Sequence, residues 1–387
     1  MIIREAESAL KNLARQFKAV AVIGPRQSGK TTLVRHVFKN KPYASLENPD
    51  IRRFAVDDPR GFLSQYKTGA VFDEVQRAPE LFSYLQQILD EDDKKGRFIL
   101  TGSNNFLLQE NISQSLAGRI SYLYLLPLTV SELPDKDTDN LNDLLFKGSY
   151  PPVYDQHIDA DRWYSNYIRT YIERDVRQIK NITDLNAFEK FLRLCAGRAG
   201  QLLNMHSLAI ECGVDSKTIG SWIGILESSF VVYRLFPHHR NFNKRLVKMP
   251  KIYFYDTGLV CALLGIQNAK QLDYHPLFGN LFENFVISEL IKFRFNKGKN
   301  NNFSFWRDNI GHEIDIIAET NVKPYPIEIK SGKTITDEFF KGILYWSKIS
   351  GEKGGTVIYG GESDQERSGN KKVVSWKKIN SLRILQT

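Results

Sequence analysis

The sequence predicts an α/β fold whose first third is a parallel sheet with helices on both faces. Three strand–loop–helix repeats predict it. AVAVIG is an apolar strand ending at a glycine, and TTLVRHVF follows as a helix. GAVFDE ends in two acids and leads into the helical PELFSYLQQILDED, and RFILTGS precedes NFLLQENISQSLAGR. Parallel strands require such crossovers, and helices then cover both faces.

The loop after the first strand, GPRQSGKT, fits G-x-x-x-x-G-K-[ST] at Gly24, Pro25, Arg26, Gln27, Ser28, Gly29, Lys30 and Thr31, with Thr32 next. This pattern predicts a phosphate cradle. Inward-pointing amides bind phosphate oxygens, and glycines permit the tight turn. Lys30 would reach the β- and γ-phosphates of ATP, while the Thr31 hydroxyl would ligate Mg²⁺. The helix that begins near Gly29 adds its positive dipole end. The second strand places Asp73 and Glu74 at its carboxyl end, Asp73 to hold the Mg²⁺ water shell and Glu74 to act as general base. Ser103 and Asn104 end the third strand, where either is placed to orient a water. The plain alternatives are a solvated acidic strand end and a simple turn.

Downstream, Pro134–Asn142 is polar and turn-rich, and the pattern becomes helical from about Asp159. Within Met205–Phe230 a helix, a turn at Gly213, an Asp215/Ser216 cap and a second amphipathic helix follow one another. Ser216, Lys217 and Ser221 are expected to face outward, and Ile219, Trp222, Ile223 and Leu226 inward. FVVYRLF alternates like a strand. The stretch Arg234–Lys251 holds six Lys/Arg and no carboxylate, so Arg240, Lys244 and Arg245 are candidate phosphate contacts. The last third reads as a helix around GNLFENFVISELIKF, strands FSFWRD, EIDIIAE and YPIEIKS, a further helix, and VVSWKKI.

In that last third Asp315, Glu328 and Lys330 follow a D-x12-E-x-K spacing, and Glu328 and Lys330 share a strand face. Paired carboxylates on neighbouring strands can hold Mg²⁺, with a lysine to position water. Glu283, from the preceding helix, would join Asp315 and Glu328 as a metal ligand. His312 and Glu313 lie just before Asp315. A half-buried hairpin with outward charges is the plain alternative.

Composition bounds the rest. The 387 residues, 42% hydrophobic and 25% charged, are those of a globular chain with more than one domain. The longest apolar run, GLVCALLGI, is too short to span a membrane, and MIIREAESAL has acidic residues where a signal peptide would have an apolar stretch, so none is expected. Cys195, Cys212 and Cys261 are far apart without a CxxC, against zinc and against a disulfide framework. A cytoplasmic setting is the expectation. The net charge of +9 permits a polyanionic partner.

The blocks GPRQSGKTTL, VFDEVQRAPELF, FILTGSNN, SLAGRI, LLPLTVSEL, KGSYPPVY, PKIYFYDTGLVCALLG and GNLFENFVISEL resemble, in content and order, a prokaryotic family of AAA-type P-loop ATPases. The resemblance spans nearly the whole chain. It implies an AAA+-like core at 1–155, a helical lid at 156–195, a winged-helix-like segment at 196–255, and at 256–387 a domain similar to PD-(D/E)xK (restriction-endonuclease-like) nucleases. Arg119 of SLAGRI is the arginine that would complete a neighbouring copy's site, with Arg174 behind it; a structural ion pair is the alternative for both. The implied function is Mg²⁺-dependent ATP binding and hydrolysis, acting on DNA, with nuclease activity left open. The alternative is a nucleotide-gated regulatory protein whose C-terminal domain binds a protein partner without cleaving nucleic acid. DNA, a second copy of the chain and a protein are thus the candidate partners, and a membrane is not.

Overall fold

A computed structural model describes residues 2–103, 116–172, 184–238, 246–320 and 323–382. Strands β1 (Ala19–Ile23), β2 (Tyr43–Ser45), β3 (Ala70–Asp73), β4 (Phe98–Gly102) and β5 (Ile120–Tyr124) form a parallel sheet in the order β2-β3-β4-β1-β5. All of β1, β3 and β4 is buried, which is why these strands read as continuous apolar runs. Ala19, Ala21 and Ile23 join one core with Leu81, Phe82 and Leu85 of the Leu81–Glu91 helix. Val20 and Val22 face the other side, against Leu10, Leu33 and Val34 of the Ala6–Gln16 and Lys30–Val37 helices. Because β4 lies between β1 and β3, the loops leaving all three at their carboxyl ends meet at one edge.

Short helices follow at Leu141–Lys147, Pro151–Asp155 and Ala160–Tyr167. Tyr150, Trp163 and Tyr167 pack ring on ring, with centroids 4.7–4.9 Å apart. Helices Leu185–Ala196, Met205–Cys212 and Ser216–Ser228 come next, then an antiparallel ribbon of β6 (Val232–Leu235) and β7 (Lys251–Phe254). Gly213 ends its helix at φ 71°, a left-handed value that glycine adopts without strain. Asp215 caps the next helix by accepting from Thr218 N at 2.7 Å. Ile219, Trp222, Ile223 and Leu226 are buried, Ser216 and Lys217 are exposed, and Ser221 is half-buried.

The boundary expected at 256 falls inside a packed junction. The Asp256 carboxylate accepts from Ser149 N and Oγ at 2.7 and 2.8 Å and caps helix Thr257–Leu263 through Leu259 N. A side chain at Gly258 would collide with the Tyr164 ring. That helix therefore packs with the middle helices.

The C-terminal sheet holds β8 (Phe303–Arg307), β9 (Glu313–Ala318), β10 (Tyr325–Lys330), β11 (Gly355–Tyr359), β12 (Gln365–Arg367) and β13 (Lys371–Ser375), in the order β12-β13-β11-β10-β9-β8. Helix Phe278–Asn296 is buried on nearly every side, as a helix without a polar face must be. Its Asn284 binds both backbone groups of Phe254, while Glu289 accepts from Val130 N at 2.8 Å. Lys292 donates to Leu128 O and to Ser149 Oγ. One helix thus joins the three parts of the chain. All three cysteines are free and buried. Among the described residues no helix is long and apolar enough to cross a membrane.

Candidate nucleotide site and C-terminal acid cluster

The first site lies where β1, β3 and β4 end. A Cβ at Gly24 would collide with Leu125 O, and Gly29 sits at φ 89°, so both positions favour glycine for steric reasons. The Lys30 ammonium is buried and donates to Gly24 O at 3.0 Å and Pro25 O at 2.7 Å. Ser28 Oγ is buried without a hydrogen-bond partner. The residues therefore fit a bound phosphate, because a polar atom and a cation are held at a loop too tight for side chains.

Asp73 accepts from Thr31 Oγ1 at 2.9 Å, from Tyr43 OH at 2.9 Å, and from Thr101 Oγ1. Burial and the Asp73 charge push Tyr43 up to about 12, so its phenol stays a donor at neutral pH. Mg²⁺ keeps most of its waters and needs few protein oxygens; adjacent Thr31 and Asp73 supply them. Glu74 follows in a left-handed conformation at φ 55°, uncommon for a residue with a side chain. Its N–H donates to Thr101 Oγ1 at 3.2 Å. Its carboxylate accepts from Ser103 Oγ at 2.8 Å and Gln76 Nε2 at 2.5 Å. Burial works to raise the Glu74 carboxyl, but Lys30, Gln76, Ser103 and Arg26 together hold it below its ordinary value. It is a carboxylate at neutral pH.

The P-loop is also braced from behind. Buried Arg4 donates to Ser28 O at 2.6 Å, to Leu126 O at 2.8 Å and to Glu132 Oε1 at 3.0 Å. Glu132 also accepts from Asn296 of the long helix at 3.4 Å. A small cleft lined by Ile2, Ile3, Leu33, Leu128 and Pro151, with Arg4, Glu7, His36 and Asp155 at its border, opens beside Thr32. Arg26, Gln27 and Thr32 border the phosphate side with Glu74 and Pro151. Tyr43, Thr101, Gln76 and Arg4 were not singled out from the sequence. A polar residue near the carboxyl end of a buried strand, as Thr101 is in β4, is the signal that could have found one of them.

Other expected residues are placed differently. Arg119 lies where β5 begins, at the end of the sheet opposite the P-loop, and forms a two-pronged ion pair with Asp90, Nη2 to Oδ2 at 2.9 Å. Within one chain Arg119 is thus paired with Asp90. Asn104, Arg174, Arg240, Lys244 and Arg245 lie outside the described residues. Two cations of the basic stretch turn inward: Arg234 grips Glu227 at 2.7 and 2.8 Å, and Lys251 is buried. That stretch is therefore less of a free polyanion surface than its composition suggests.

The second site is in the C-terminal sheet. The structure brings Asp315, Glu328 and Lys330 together, with Lys330 Nζ 2.5 Å from Glu328 and 3.4 Å from Asp315. Ile329 N also donates to Asp315, at 2.7 Å. Glu283 approaches from its helix but accepts from Lys251 Nζ at 3.0 Å and Tyr253 OH at 2.5 Å. Burial and the nearby Asp315 raise Glu283 despite Lys251, and burial with Asp315 raises Glu328 well above the usual carboxylate range. Among the described residues no group of three or more His, Cys, Asp or Glu is arranged to hold a metal. That corrects the expected Mg²⁺ set of Glu283, Asp315 and Glu328. The physical reason is that Lys251 and Tyr253 already hold Glu283. His312 is turned away from the acids, its ring stacked on Tyr345 at 3.9 Å and its Nδ1 3.0 Å from Asp308.

A family model described as an AAA domain matches residues 16–134. Models described as Domain of unknown function (DUF8612) and Domain of unknown function (DUF4143) match 138–270 and 278–379. An uncharacterized protein of Mycobacterium tuberculosis (strain ATCC 25618 / H37Rv) is 33% identical over 336 residues, 86% of this chain and 74% of that protein. The chain belongs to that protein's AAA-domain family.

A more distant relative, an uncharacterized protein of Methanocaldococcus jannaschii, is 20% identical over 335 residues, covering 78% of this chain and 72% of the relative. Among solved structures, the Walker-type ATPase of Pyrococcus abyssi aligns with a TM-score of 0.46 and 14% identity, over 67% of this chain and 94% of that one. The N-terminal unit of this AAA-domain protein is a P-loop ATPase domain. The match over 278–379 names no activity.

Proposed function

We propose that this AAA-domain protein hydrolyses ATP in a Mg²⁺-dependent reaction and couples that cycle to a DNA partner. The observation that carries the hydrolysis reading is Glu74, an ionised carboxylate held by Ser103 and Gln76 within the field of Lys30. The loop amides from Gly24 to Thr31 bind the phosphates, and Lys30 turns from the Gly24 and Pro25 carbonyls toward them. Thr31 and Asp73 would hold Mg²⁺, which would supply charge neutralisation at the phosphates. Glu74 takes the proton of the attacking water, and the small cleft beside Ile2 and Pro151 receives the base.

DNA contact rests on less. The helix pair Met205–Cys212 and Ser216–Ser228 with its β6–β7 ribbon suits a winged-helix reading, and Lys217 is exposed on the second helix. ATP turnover with and without single- and double-stranded DNA tests it: several-fold stimulation is expected, lost on charge reversal at Lys244 and Arg245. Turnover unmoved by either DNA removes DNA from the proposal. The regulatory alternative then stands, and one observation favours it: Lys251 pairs with Glu283, an acid that the nuclease reading needs for its metal.

Arg119 belongs to this proposal as the residue that completes a neighbouring copy's site after leaving Asp90. The Asp90 pair is exposed, and such pairs add little to stability. Arg119→Ala should therefore leave the melting temperature and ATP affinity unchanged while cutting turnover by about 10³-fold. Full turnover in Arg119→Ala, measured by phosphate release, removes the assignment.

A further inference from the structure

Arg4 lies just ahead of the Ala6–Gln16 helix, yet one of its bonds ends on the P-loop backbone. Its Nη1 donates to Ser28 O at 2.6 Å, its Nη2 to Leu126 O at 2.8 Å and its Nε to Glu132 Oε1 at 3.0 Å. The side chains of Arg4 and Glu132 are 5% and 1% exposed. Glu132 is fixed in turn, accepting from Glu5 N at 2.6 Å and Thr129 N at 3.0 Å. All three guanidinium nitrogens are engaged, and the group is planar, so it cannot turn without breaking several bonds at once.

The carbonyl that Arg4 grips belongs to the peptide joining Ser28 to Gly29. Among the described residues no peptide is cis, and in a planar trans unit the N–H points the opposite way from the C=O. Gly29 borders the pocket shared by Arg26, Lys30, Thr31 and Glu74, and Arg4 does not. Gly29 is also the N-cap of the Lys30–Val37 helix, where amides have no carbonyl of a preceding turn to bind. The peptide after Gly29 is held by the helix, through Leu33 N to Gly29 O at 2.9 Å. The peptide before it is held by Arg4. Without that hold the unit could turn over, because glycine accepts either sign of φ, and a carbonyl oxygen would then face the phosphates.

We propose that Arg4 is a positioning residue for nucleotide binding: by holding Ser28 O from behind, it keeps the Gly29 N–H aimed at the phosphates. The charge on the carbonyl also polarises the peptide and makes that N–H a stronger donor. Arg4 itself touches no phosphate. Its effect falls on affinity more than on kcat, since the amide serves substrate and transition state alike. This rests on the nucleotide reading of Gly24–Thr31.

The test is ADP binding in Mg²⁺ by calorimetry on the full chain, for wild type and Arg4→Gln/Glu132→Gln. The melting temperature without nucleotide and kcat at saturating ATP are measured on the same samples. Changing both residues leaves no buried charge unpaired. The glutamine amide ends where Arg4 Nε lies, so the tie to residue 132 is kept while the reach to Ser28 O is lost. The ADP dissociation constant should rise by about tenfold or more, the cost of a lost hydrogen bond to a charged group, and kcat should change far less. If the pair does not fold, Arg4→Lys is read instead. It keeps a charge opposite Glu132, but its ammonium ends one bond short of Nη1, so a smaller loss of ADP affinity is expected. A folded variant with wild-type ADP affinity overturns the proposal. So does one whose melting temperature and kcat fall at unchanged affinity, the result of a purely structural ion pair. Wild type that binds ADP without hydrolysing ATP removes the hydrolysis reading and leaves the ADP affinities to decide for Arg4. Wild type that binds neither nucleotide removes both.

Discussion

Glu74→Gln is expected to bind ATP as the wild type does and to turn it over at least about 10²-fold more slowly, the usual contribution of a general base. The amide keeps the shape of the carboxylate but cannot accept a proton. It can still receive the Ser103 hydroxyl and the Glu74 N–H bond to Thr101 is untouched, so the left-handed turn after β3 is preserved. Binding and turnover are therefore separable at this position. Phosphate release and a fluorescent-nucleotide titration on the same sample check it. Wild-type turnover in Glu74→Gln would show that the carboxylate does not take the proton.

Lys30→Ala should fail at the earlier step. The ammonium is buried against the Gly24 and Pro25 carbonyls, in position to move onto the phosphates. A hydrogen bond to a charged group is worth about 1.5–3 kcal/mol, so ATP affinity should fall by about 10–100-fold or more. Arg26 acts on Glu74 from the same loop, so some residual binding is expected. Nucleotide titration of the folded variant measures the loss. Affinity equal to wild type would mean that the lysine does not contact the phosphates.

The nucleotide site was legible because its chemistry is local. Gly24–Thr31 is one unbroken motif, and Asp73 and Glu74 are neighbours at the end of an apolar run, so a single reading frame carries them. Tyr43 and Thr101 were hidden for the opposite reason. They reach Asp73 from two other strands, 30 and 28 residues away, and only the strand order brings them there. The elements missed were of a similar kind. β2 is three residues long, and β11, GTVIY, is fully buried, with no alternation to mark it.

Charge was the hardest property to read. The Arg234–Lys251 stretch looks like one basic surface, yet its first and last residues are buried or half-buried partners of Glu227, Glu283 and Glu313. The same blind spot produced the metal expectation. Asp315, Glu328 and Lys330 converge as their spacing suggests, but Lys251 lies 64 residues before Asp315 in the chain. Nothing local announces that it pairs with Glu283.

Phosphate release from ATP by the purified full chain, in Mg²⁺ and again after chelation, tests the central claim most directly. Turnover that requires Mg²⁺ and disappears in Lys30→Ala is the predicted result. A folded protein that binds ATP but releases no phosphate in Mg²⁺, or one whose turnover survives both chelation and Lys30→Ala, would contradict it.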